Sequence, residues 1–302
     1  MITKLLSKIR RYRFIAALFL IFIVMDCLLG VMFESYTVKS GNFWLNDYEI
    51  TRRDHPEEIW DKVFYGNSAV ISGYREDLST SGYTNFGIDY GSMQDMLKIL
   101  RSDKVKIGEE LVIGINWAAL FDNMETNPNY YWNRVTLEPY SYFQRDRLYA
   151  AFTGKLKSIV TGEPWAEGQF AYQTKSYYYS SLPTAQLLEK VDVYQERYWS
   201  TGVEGCSKNL EAIGEIVGFC KENDIRLRIV LMPWNPAIEK TDVISELDKS
   251  VIDICRENDI EYLDFSDAFD AECFYDLGHM SYEYGSHVFT EAIDKWLNSK
   301  KE

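Results

Sequence analysis

The sequence predicts an α/β fold in which helices cover both faces of a parallel β-sheet. After residue 60, short apolar runs alternate with stretches of helical periodicity, the pattern expected of such a fold. The run LVIGIN at 111–116 is almost continuously apolar, as in a strand that is buried on both faces. With 302 residues, 46% of them hydrophobic, the chain can bury a sizeable core, which excludes a disordered or fibrous protein.

The first element is an apolar run from Phe14 to Phe33 that contains no Lys or Arg. As a helix it would be about 30 Å long, the thickness of the hydrocarbon core of a bilayer. Its many Leu, Ile, Val and Phe residues outweigh the cost of inserting Asp26. A cleaved signal peptide would usually have a shorter run that ends in small residues. We therefore predict an uncleaved transmembrane helix over 14–33.

The flanks of this run predict its orientation. Five basic residues lie within 1–13, so this segment is predicted to be cytoplasmic and everything after Phe33 to be outside the cell. A polar connector is predicted over 34–60, followed by an extracellular domain over 61–302. An acid inside a membrane usually has a partner, so Asp26 either contacts another membrane protein or reaches water at the outer interface.

Hydrophobic periodicity predicts the strands and helices after residue 60, and one long segment interrupts their alternation. The segment at about 117–205 is rich in Tyr and Trp, and these rings either stack on sugars or pack an inserted subdomain. They are Tyr130, Tyr131, Trp132, Tyr140, Tyr142, Tyr177, Tyr178 and Tyr179. We predict strands at 62–65, 83–88, 111–116, 226–233 and 261–266, and helices at 91–101, 208–222, 242–258 and 282–297.

Charge and metal-ligand counts exclude several classes of function. The formal net charge is −14, which argues strongly against binding to nucleic acid, whose phosphates attract Lys and Arg. None of the five cysteines forms a C-x-x-C pair and there are three histidines, so neither a structural zinc site nor a multi-histidine metal centre is expected. Cys220 and Cys255 are predicted to be buried on helix faces that pack against the sheet. No cofactor is predicted.

One histidine stands in a context that points to chemistry. His279 lies in FYDLGHMS, after the last predicted strand, and Asp276 precedes it by three residues. A carboxylate at this spacing can fix the tautomer of the imidazole and stabilise its charged form. His55 is expected to be solvated in the connector, and His287 to lie at the surface or in packing of the last helix.

The matching nucleophile candidate is Ser68 in FYGNSAV, at the start of a helix directly after the first strand. A serine needs a neighbouring base, and donors for an oxyanion are expected from the N–H groups of Ser68 and Gly87 and from the Asn116 side chain. Each residue alone is more simply explained as a cap or a turn residue. Together with His279 and Asp276 they follow one another at the ends of predicted strands, which favours a catalytic site.

The order GNS, N-x-G, G-x-N and a late D-x-x-H resembles the four sequence blocks of the SGNH (GDSL-like) hydrolase superfamily. The resemblance covers about 60–116 and 206–298. It implies a flavodoxin-like α/β/α sandwich, with Ser68 as nucleophile, His279 as base and Asp276 as the residue that orients the base. Two positions depart from the family pattern: Asn67 replaces Asp, and Trp117 follows Asn116 where the third block has Asp.

The N-terminal run, the PWNP sequence at 233–236 and the D-x-G-H-x motif are similar to the membrane-anchored branch of this superfamily, the DltD and AlgJ/AlgX-like acyl-transfer proteins. This resemblance implies a membrane-bound O-acyltransferase (MBOAT) as partner and a cell-surface glycan or teichoic acid as acceptor of an acetyl or D-alanyl group. We therefore expect an extracellular serine O-acyltransferase. A carbohydrate esterase with the same residues, and a non-catalytic scaffold of an acyltransferase complex, remain alternatives.

Overall fold

The structure is a computed structural model that describes residues 2–32, 46–102, 104–126, 130–133, 141, 145–163 and 178–299. The chain divides into two compact units. One consists of Met1–Leu45 and Pro128–Gln173, and the other of Asn46–Asn127 and Thr174–Glu302. The larger unit contains the sheet and all the residues singled out above as catalytic candidates.

The larger unit is built on one five-stranded parallel sheet with the strand order β2-β1-β3-β4-β5. This is the order of a flavodoxin-like doubly wound sheet, in which ligands bind beyond the carboxyl ends of the strands. The predicted α/β fold with a parallel sheet is therefore confirmed. The strands are β1 (Ile59–Gly66), β2 (Thr84–Gly87), β3 (Lys106–Ile115), β4 (Arg226–Leu231) and β5 (Glu261–Asp264).

Helices lie on both faces of this sheet because successive residues of a strand point to opposite sides. Phe64 of β1 belongs to a buried cluster with Phe289 and Ile293 of the last helix. The next residue, Tyr65, points the other way and donates its hydroxyl hydrogen to the Ser92 carbonyl at 2.7 Å. The helices of this unit are α2 (Asp47–Asp54), α3 (Ser68–Gly73), α4 (Met93–Arg101), α6 (Thr184–Arg197), α7 (Ser207–Glu222), α8 (Asp242–Glu257) and α9 (Gly285–Leu297).

Two parts of this unit differ from the prediction. The segment expected to be a connector contains helix α2, whose Tyr48 and Ile50 are buried and which is closed by a capping box between Asn46 and Glu49. The sequence of α2 is mostly polar, and its buried hydrophobic side chains are only those of Tyr48 and Ile50. Hydrophobic periodicity therefore does not indicate a helix in this segment. The aromatic-rich segment contributes helix α6, whereas Tyr140, Tyr142 and Tyr177 lie outside the described residues. Cys220 and Cys255 are buried, as predicted, and neither forms a disulfide.

The smaller unit contains helix α1 (Ile2–Met32) and helix α5 (Arg145–Thr161). The carboxylate of Asp26 accepts hydrogen bonds from the N–H and the hydroxyl of Ser141, at 3.1 and 2.5 Å. The partner that the acid requires is therefore found within the same chain. Among the residues that the structure describes, no helix combines the length and the apolar character needed to cross a membrane.

A buried ion pair ties the sheet to the last helix. Arg228 of β4 is fully buried, and its Nε donates to the carboxylate of Glu110 on β3. Its other guanidinium nitrogens reach the Tyr83 hydroxyl at 2.6 Å and the carbonyl oxygens of Trp296 and Leu297 at 3.2 and 3.3 Å. The guanidinium also lies 4.4 Å from the Trp296 ring centroid. The Arg228 side chain thus contacts a carboxylate on β3, the Tyr83 hydroxyl just before β2, and carbonyl groups at the end of α9.

We expect Arg228→Met to lower the free energy of unfolding by about 3 kcal/mol, because it leaves the carboxylate of Glu110 buried without its closest partner. Arg101→Ala is the control, since Arg101 forms an exposed pair with Glu215 and should cost no more than about 1 kcal/mol. The measurement is urea denaturation of both variants. A cost below that of the control for Arg228→Met would show that the buried pair does not hold the sheet and α9 together.

Candidate active site

The candidate site lies beyond the carboxyl ends of the central strands, and glycines bring these ends close together. Gly66 at the end of β1 pairs in register with Gly87 of β2 and with Gly114 of β3. A Cβ atom on Gly66 would overlap the side chain of Val70 and come within 2.9 Å of the Gly114 carbonyl oxygen. Because Gly66 has no side chain, α3 can begin at Ser68 directly above the sheet.

Ser68, His279 and Asp276 form one continuous chain of hydrogen bonds. The Oγ of Ser68 lies 2.8 Å from the Nε2 of His279. The Nδ1 of His279 lies 2.8 Å from the Oδ1 of Asp276. The loops after β1 and β5 thus bring together two residues that are 211 positions apart. The arrangement has the order nucleophile, base and carboxylate that activates a serine hydroxyl.

The loop that carries His279 is held in shape by backbone hydrogen bonds. The Oδ1 of Asp276 also accepts the N–H groups of Gly278 and His279, at 3.2 and 3.0 Å. Asn235, from the PWNP sequence, donates its side-chain N–H to the Asp276 carbonyl at 2.9 Å and its backbone N–H to the Leu277 carbonyl at 3.0 Å. The PWNP loop therefore holds the D-x-x-H loop in place through two hydrogen bonds.

Asp276 is buried, and its environment keeps it charged. Burial alone would raise its pKa, but the charge and hydrogen bond of His279, the Gly278 N–H and the charge of Lys190 together hold the pKa of this carboxyl well below its usual range. Lys190 comes from α6, and its Nζ lies 3.5 Å from the Oδ2 of Asp276. A carboxylate that stays charged can stabilise the imidazolium that forms when His279 takes a proton.

The three predicted oxyanion donors differ in whether the structure leaves them available to a ligand. The Ser68 N–H makes no hydrogen bond to any residue that the structure describes. Asn116 lines the same cavity as Ser68. The expectation that Gly87 supplies a donor is not met in this structure: its N–H is donated to the Oδ1 of Asn85 at 2.9 Å, within β2 itself.

A cavity of about 390 Å³ opens beside Ser68. Tyr178 forms part of its wall, and its ring centroid lies 4.4 Å from that of His279 and 4.8 Å from that of Tyr275. Burial raises the pKa of the Tyr178 hydroxyl well above its usual value, so it stays protonated. The remaining wall combines aromatic rings with charged side chains; it includes Trp117, Tyr194, Tyr198, Asp89, Glu125, Lys190 and Arg197.

Sequence reasoning missed the contributions of Lys190 and Tyr178. Both residues lie in the segment at about 117–205 that interrupts the sheet pattern, where no strand end marks them. The other two histidines lie away from the site. The Nε2 of His55 lies 2.7 Å from the carboxylate of Glu76, so it is paired rather than simply solvated. His287 is exposed on α9, one of the two positions expected for it.

The described residues contain no group of three or more His, Cys, Asp or Glu side chains that could hold a metal ion. The site presents a hydroxyl bonded to an imidazole and a carboxylate that fixes the orientation of that imidazole. It also presents the Ser68 N–H, which has no partner among the described residues, and the Asn116 side chain in the same cavity. Such a set can attack an ester carbonyl and stabilise the charge that forms on its oxygen.

No protein-family model matches the sequence, and no curated protein is significantly similar to it. Solved structures are similar to it at low identity. An acetyl xylan esterase has 11% identity and a TM-score of 0.39, over 78% of this chain and 98% of that one. A protein described as lipolytic and of the G-D-S-L family, from Desulfitobacterium hafniense, has 14% identity and a TM-score of 0.37 over the same shares.

A third solved structure, described as an acylhydrolase from Bacteroides fragilis, has 16% identity and a TM-score of 0.38, over 83% of this chain and 92% of that one. All three TM-scores lie below 0.5. The chemistry proposed for this chain therefore rests on the geometry of its own site.

The depressed pKa of Asp276 predicts a pH dependence of stability. Its native pKa lies below that of the unfolded chain, about 3.9, so the native state binds fewer protons and stability falls as the pH is lowered. We expect the stability advantage of the wild type over Asp276→Asn to be complete above about pH 5 and to shrink toward about pH 2. The measurement is urea denaturation of both proteins across this range.

Asp192→Asn serves as the control, because Asp192 is exposed on α6 and its loss should not change the pH dependence. An advantage over Asp276→Asn that stays constant or grows on acidification would contradict the assignment of Asp276 as a buried charged group.

Proposed function

We propose that this chain is an SGNH-type serine enzyme that moves an acyl group through an ester on Ser68. The observation that carries the proposal is the unbroken chain of hydrogen bonds from Ser68 through His279 to Asp276, placed at the mouth of a cavity. A serine that acted only as a helix cap would not need an imidazole and a buried carboxylate in line with its hydroxyl. The N-cap of α3 is in any case Asn67.

The first half-reaction follows from this geometry. The Oγ of Ser68 attacks the carbonyl carbon of an ester donor while its proton passes to the Nε2 of His279. The carbonyl oxygen becomes an oxyanion, which the Ser68 N–H and the Asn116 side chain stabilise. When the intermediate collapses, the bond to the donor oxygen breaks and His279 returns its proton to the leaving alcohol. The acyl group remains on Ser68.

In the second half-reaction an acceptor hydroxyl gives its proton to His279 and attacks the carbonyl carbon of the acyl-serine. The bond to the Oγ of Ser68 then breaks, His279 returns the proton to this oxygen, and the acyl group leaves as an ester of the acceptor. We propose a sugar or polyol hydroxyl of a cell-surface polymer as this acceptor, and acetyl or D-alanyl as the acyl group. The tyrosine rings that line the cavity support a carbohydrate, because aromatic faces stack on sugar rings. With water as the acceptor, the same residues would act as an esterase.

We propose further that the domain acts at the outer surface of the cell membrane, next to a membrane-bound O-acyltransferase that supplies the acyl group. The support for an anchor is the sequence of 14–33, an apolar run without Lys or Arg. Its last residue, Phe33, lies outside the described part of the chain, in which no helix meets the requirements for crossing a membrane. From Phe14 to Met25 the large apolar side chains of helix α1 are about half or more exposed, as they would be if lipid or a partner helix surrounded them.

The central test is to trap the intermediate. With the full chain in detergent, a fluorophosphonate should add one adduct to Ser68, detected by peptide mass spectrometry, because this reagent phosphonylates activated serines. An activated ester donor should leave its acyl group on the same peptide. Ser68→Ala should remove both adducts and lower the turnover of the donor by at least about 10³-fold.

Ser245→Ala, at an exposed serine of α8, is the matched control and should keep both adducts. Adding a sugar hydroxyl acceptor should speed the loss of the acyl group and yield an acylated sugar. Release of free acid alone would identify an esterase. Unchanged glycan acylation in cells that carry Ser68→Ala would identify a scaffold and defeat the enzymatic proposal.

The anchor has its own test. The full chain should stay in the membrane fraction after alkaline extraction, whereas Leu20→Arg combined with Ile23→Arg should not insert, since each arginine costs about 3 kcal/mol at the centre of a bilayer. Leu20→Ile combined with Ile23→Leu is the control and should behave as wild type. Extraction of the wild type by alkali would refute the anchor.

A further inference from the structure

Helix α5 carries large apolar side chains on its exposed side. Five of its residues are apolar and at least half exposed: Tyr149, Phe152, Leu156, Ile159 and Val160. Their spacing of three, four, three and one residues places them on one face of the helix, within an arc of about 100°. This face is called the apolar stripe below.

The side of α5 opposite the apolar stripe is small and polar, and it is the side that is partly covered. Gly154 and Ser158 lie there, and both are half-buried. A surface helix of a water-soluble domain has the reverse arrangement, with its apolar face in the core and its polar face in water. A contiguous apolar patch on a surface marks a contact with another molecule or with a membrane.

Basic residues accompany the apolar stripe. Residues 145–161 contain four Lys or Arg and one acidic residue, whereas the whole chain has 32 basic and 46 acidic residues. At about 100° per residue, Lys155 and Lys157 lie just beyond the two edges of the stripe, and both are exposed. The Nζ of Lys157 lies 3.6 Å from the carboxylate of Glu163, in an exposed and therefore weak pair. Lysines at the edges of an apolar face can reach lipid phosphates while the face enters the acyl chains.

The chain also brings α5 close to one end of the apolar run at 14–33, which belongs to the same compact unit. At 1.5 Å per residue, Asp26 lies about 10 Å short of the outer end of this run, and its carboxylate is bonded to Ser141. Arg145, where α5 begins, follows Ser141 by four residues, which span at most about 14 Å. In the membrane placement proposed above, α5 therefore begins within reach of the outer lipid headgroups.

We propose that α5 lies flat on the outer surface of the membrane, with the apolar stripe among the acyl chains and its lysines against the phosphates of anionic phospholipids. The proposal rests on the proposed function, because it requires that the chain works at this surface. With 17 residues α5 is about 26 Å long, too short to form a second span. The basic residues beside the stripe favour an anionic lipid surface over the apolar groove of a partner protein.

The experiment measures the surroundings of α5 in vesicles of phosphatidylcholine and phosphatidylglycerol that hold the full chain. Phe152→Cys carries a bimane fluorophore on the apolar stripe. Thr161→Cys is the control, because Thr161 is exposed on the other side of the helix. The native cysteines are buried or half-buried, and wild type treated with the same reagent gives the background.

The two labels should respond to opposite quenchers. We expect lipids with a nitroxide on the acyl chain to quench the label at 152 and not the label at 161. Aqueous iodide should quench the label at 152 at least about fivefold less than the label at 161, because the stripe is inside the lipid.

Further substitutions separate the apolar and the electrostatic contributions, each read with the label at 152. Leu156→Glu should abolish quenching by the nitroxide lipids, whereas Thr161→Glu adds the same charge on the other side and should leave it unchanged. Lys155→Gln combined with Lys157→Gln should shift the helix toward its released form by about fivefold for each lysine, and vesicles of phosphatidylcholine alone should act in the same direction. Melting temperatures should stay near wild type, because these side chains are exposed.

The outcomes that overturn the proposal differ from those that overturn the proposed function. A label at 152 that iodide reaches as easily as at 161 would show that the stripe faces water. A label shielded from both iodide and nitroxide lipids would show that protein covers it, and equal quenching in phosphatidylcholine alone would remove the role of anionic lipid. Each of these results overturns the proposal for α5.

If Ser68 forms its adduct and the wild type resists alkaline extraction while the stripe stays out of the lipid, the proposal for α5 fails and the proposed function stands. If alkali extracts the wild type but the label at 152 still contacts lipid, the anchor fails and α5 remains the membrane contact.

Discussion

The active site depends on the hydrogen bond between the Oγ of Ser68 and the Nε2 of His279, since the sheet brings two distant loops together at this point. The strand order places β1 near the centre, and Gly66 lets α3 begin almost on top of β3. His279 arrives from beyond β5, in a loop held by Asn235 and by the N–H groups around Asp276. Without this convergence, Ser68 would be an ordinary residue at a helix start.

The charges around the site favour transfer of a proton from the Ser68 hydroxyl to the His279 imidazole. Asp276 is buried but surrounded by donors and by the charge of Lys190, so it remains a carboxylate beside the imidazole. Ser68 and Asn116 line the same cavity, and the Nδ2 of Asn116 donates to no residue that the structure describes. The negative charge of Asp276 beside His279 favours transfer of the hydroxyl proton of Ser68 to the imidazole.

Much of this site could be predicted because its main residues follow strand ends, which periodicity marks. Ser68, Asn116, Asp276 and His279 all stand where a buried run stops. Gly87 was predicted as a donor on the same ground, but Asn85, two residues earlier in the same strand, takes its N–H. The hydrogen bond between Asn67 and Asn116 joins residues 49 positions apart. The contact of Lys190 with Asp276 depends on where α6 packs in the fold. Neither can be read from local spacing.

The most direct test of the central claim is nuclear magnetic resonance of the ¹⁵N-histidine-labelled full chain, which has only three imidazoles to assign. We predict that one imidazole carries a slowly exchanging proton on Nδ1, bonded to a carboxylate, and that this signal is lost in His279→Gln and shifts when a phosphonate occupies Ser68. If the His279 ring shows no bonded Nδ1 proton and does not respond to the adduct, the three residues do not act together and the account is wrong.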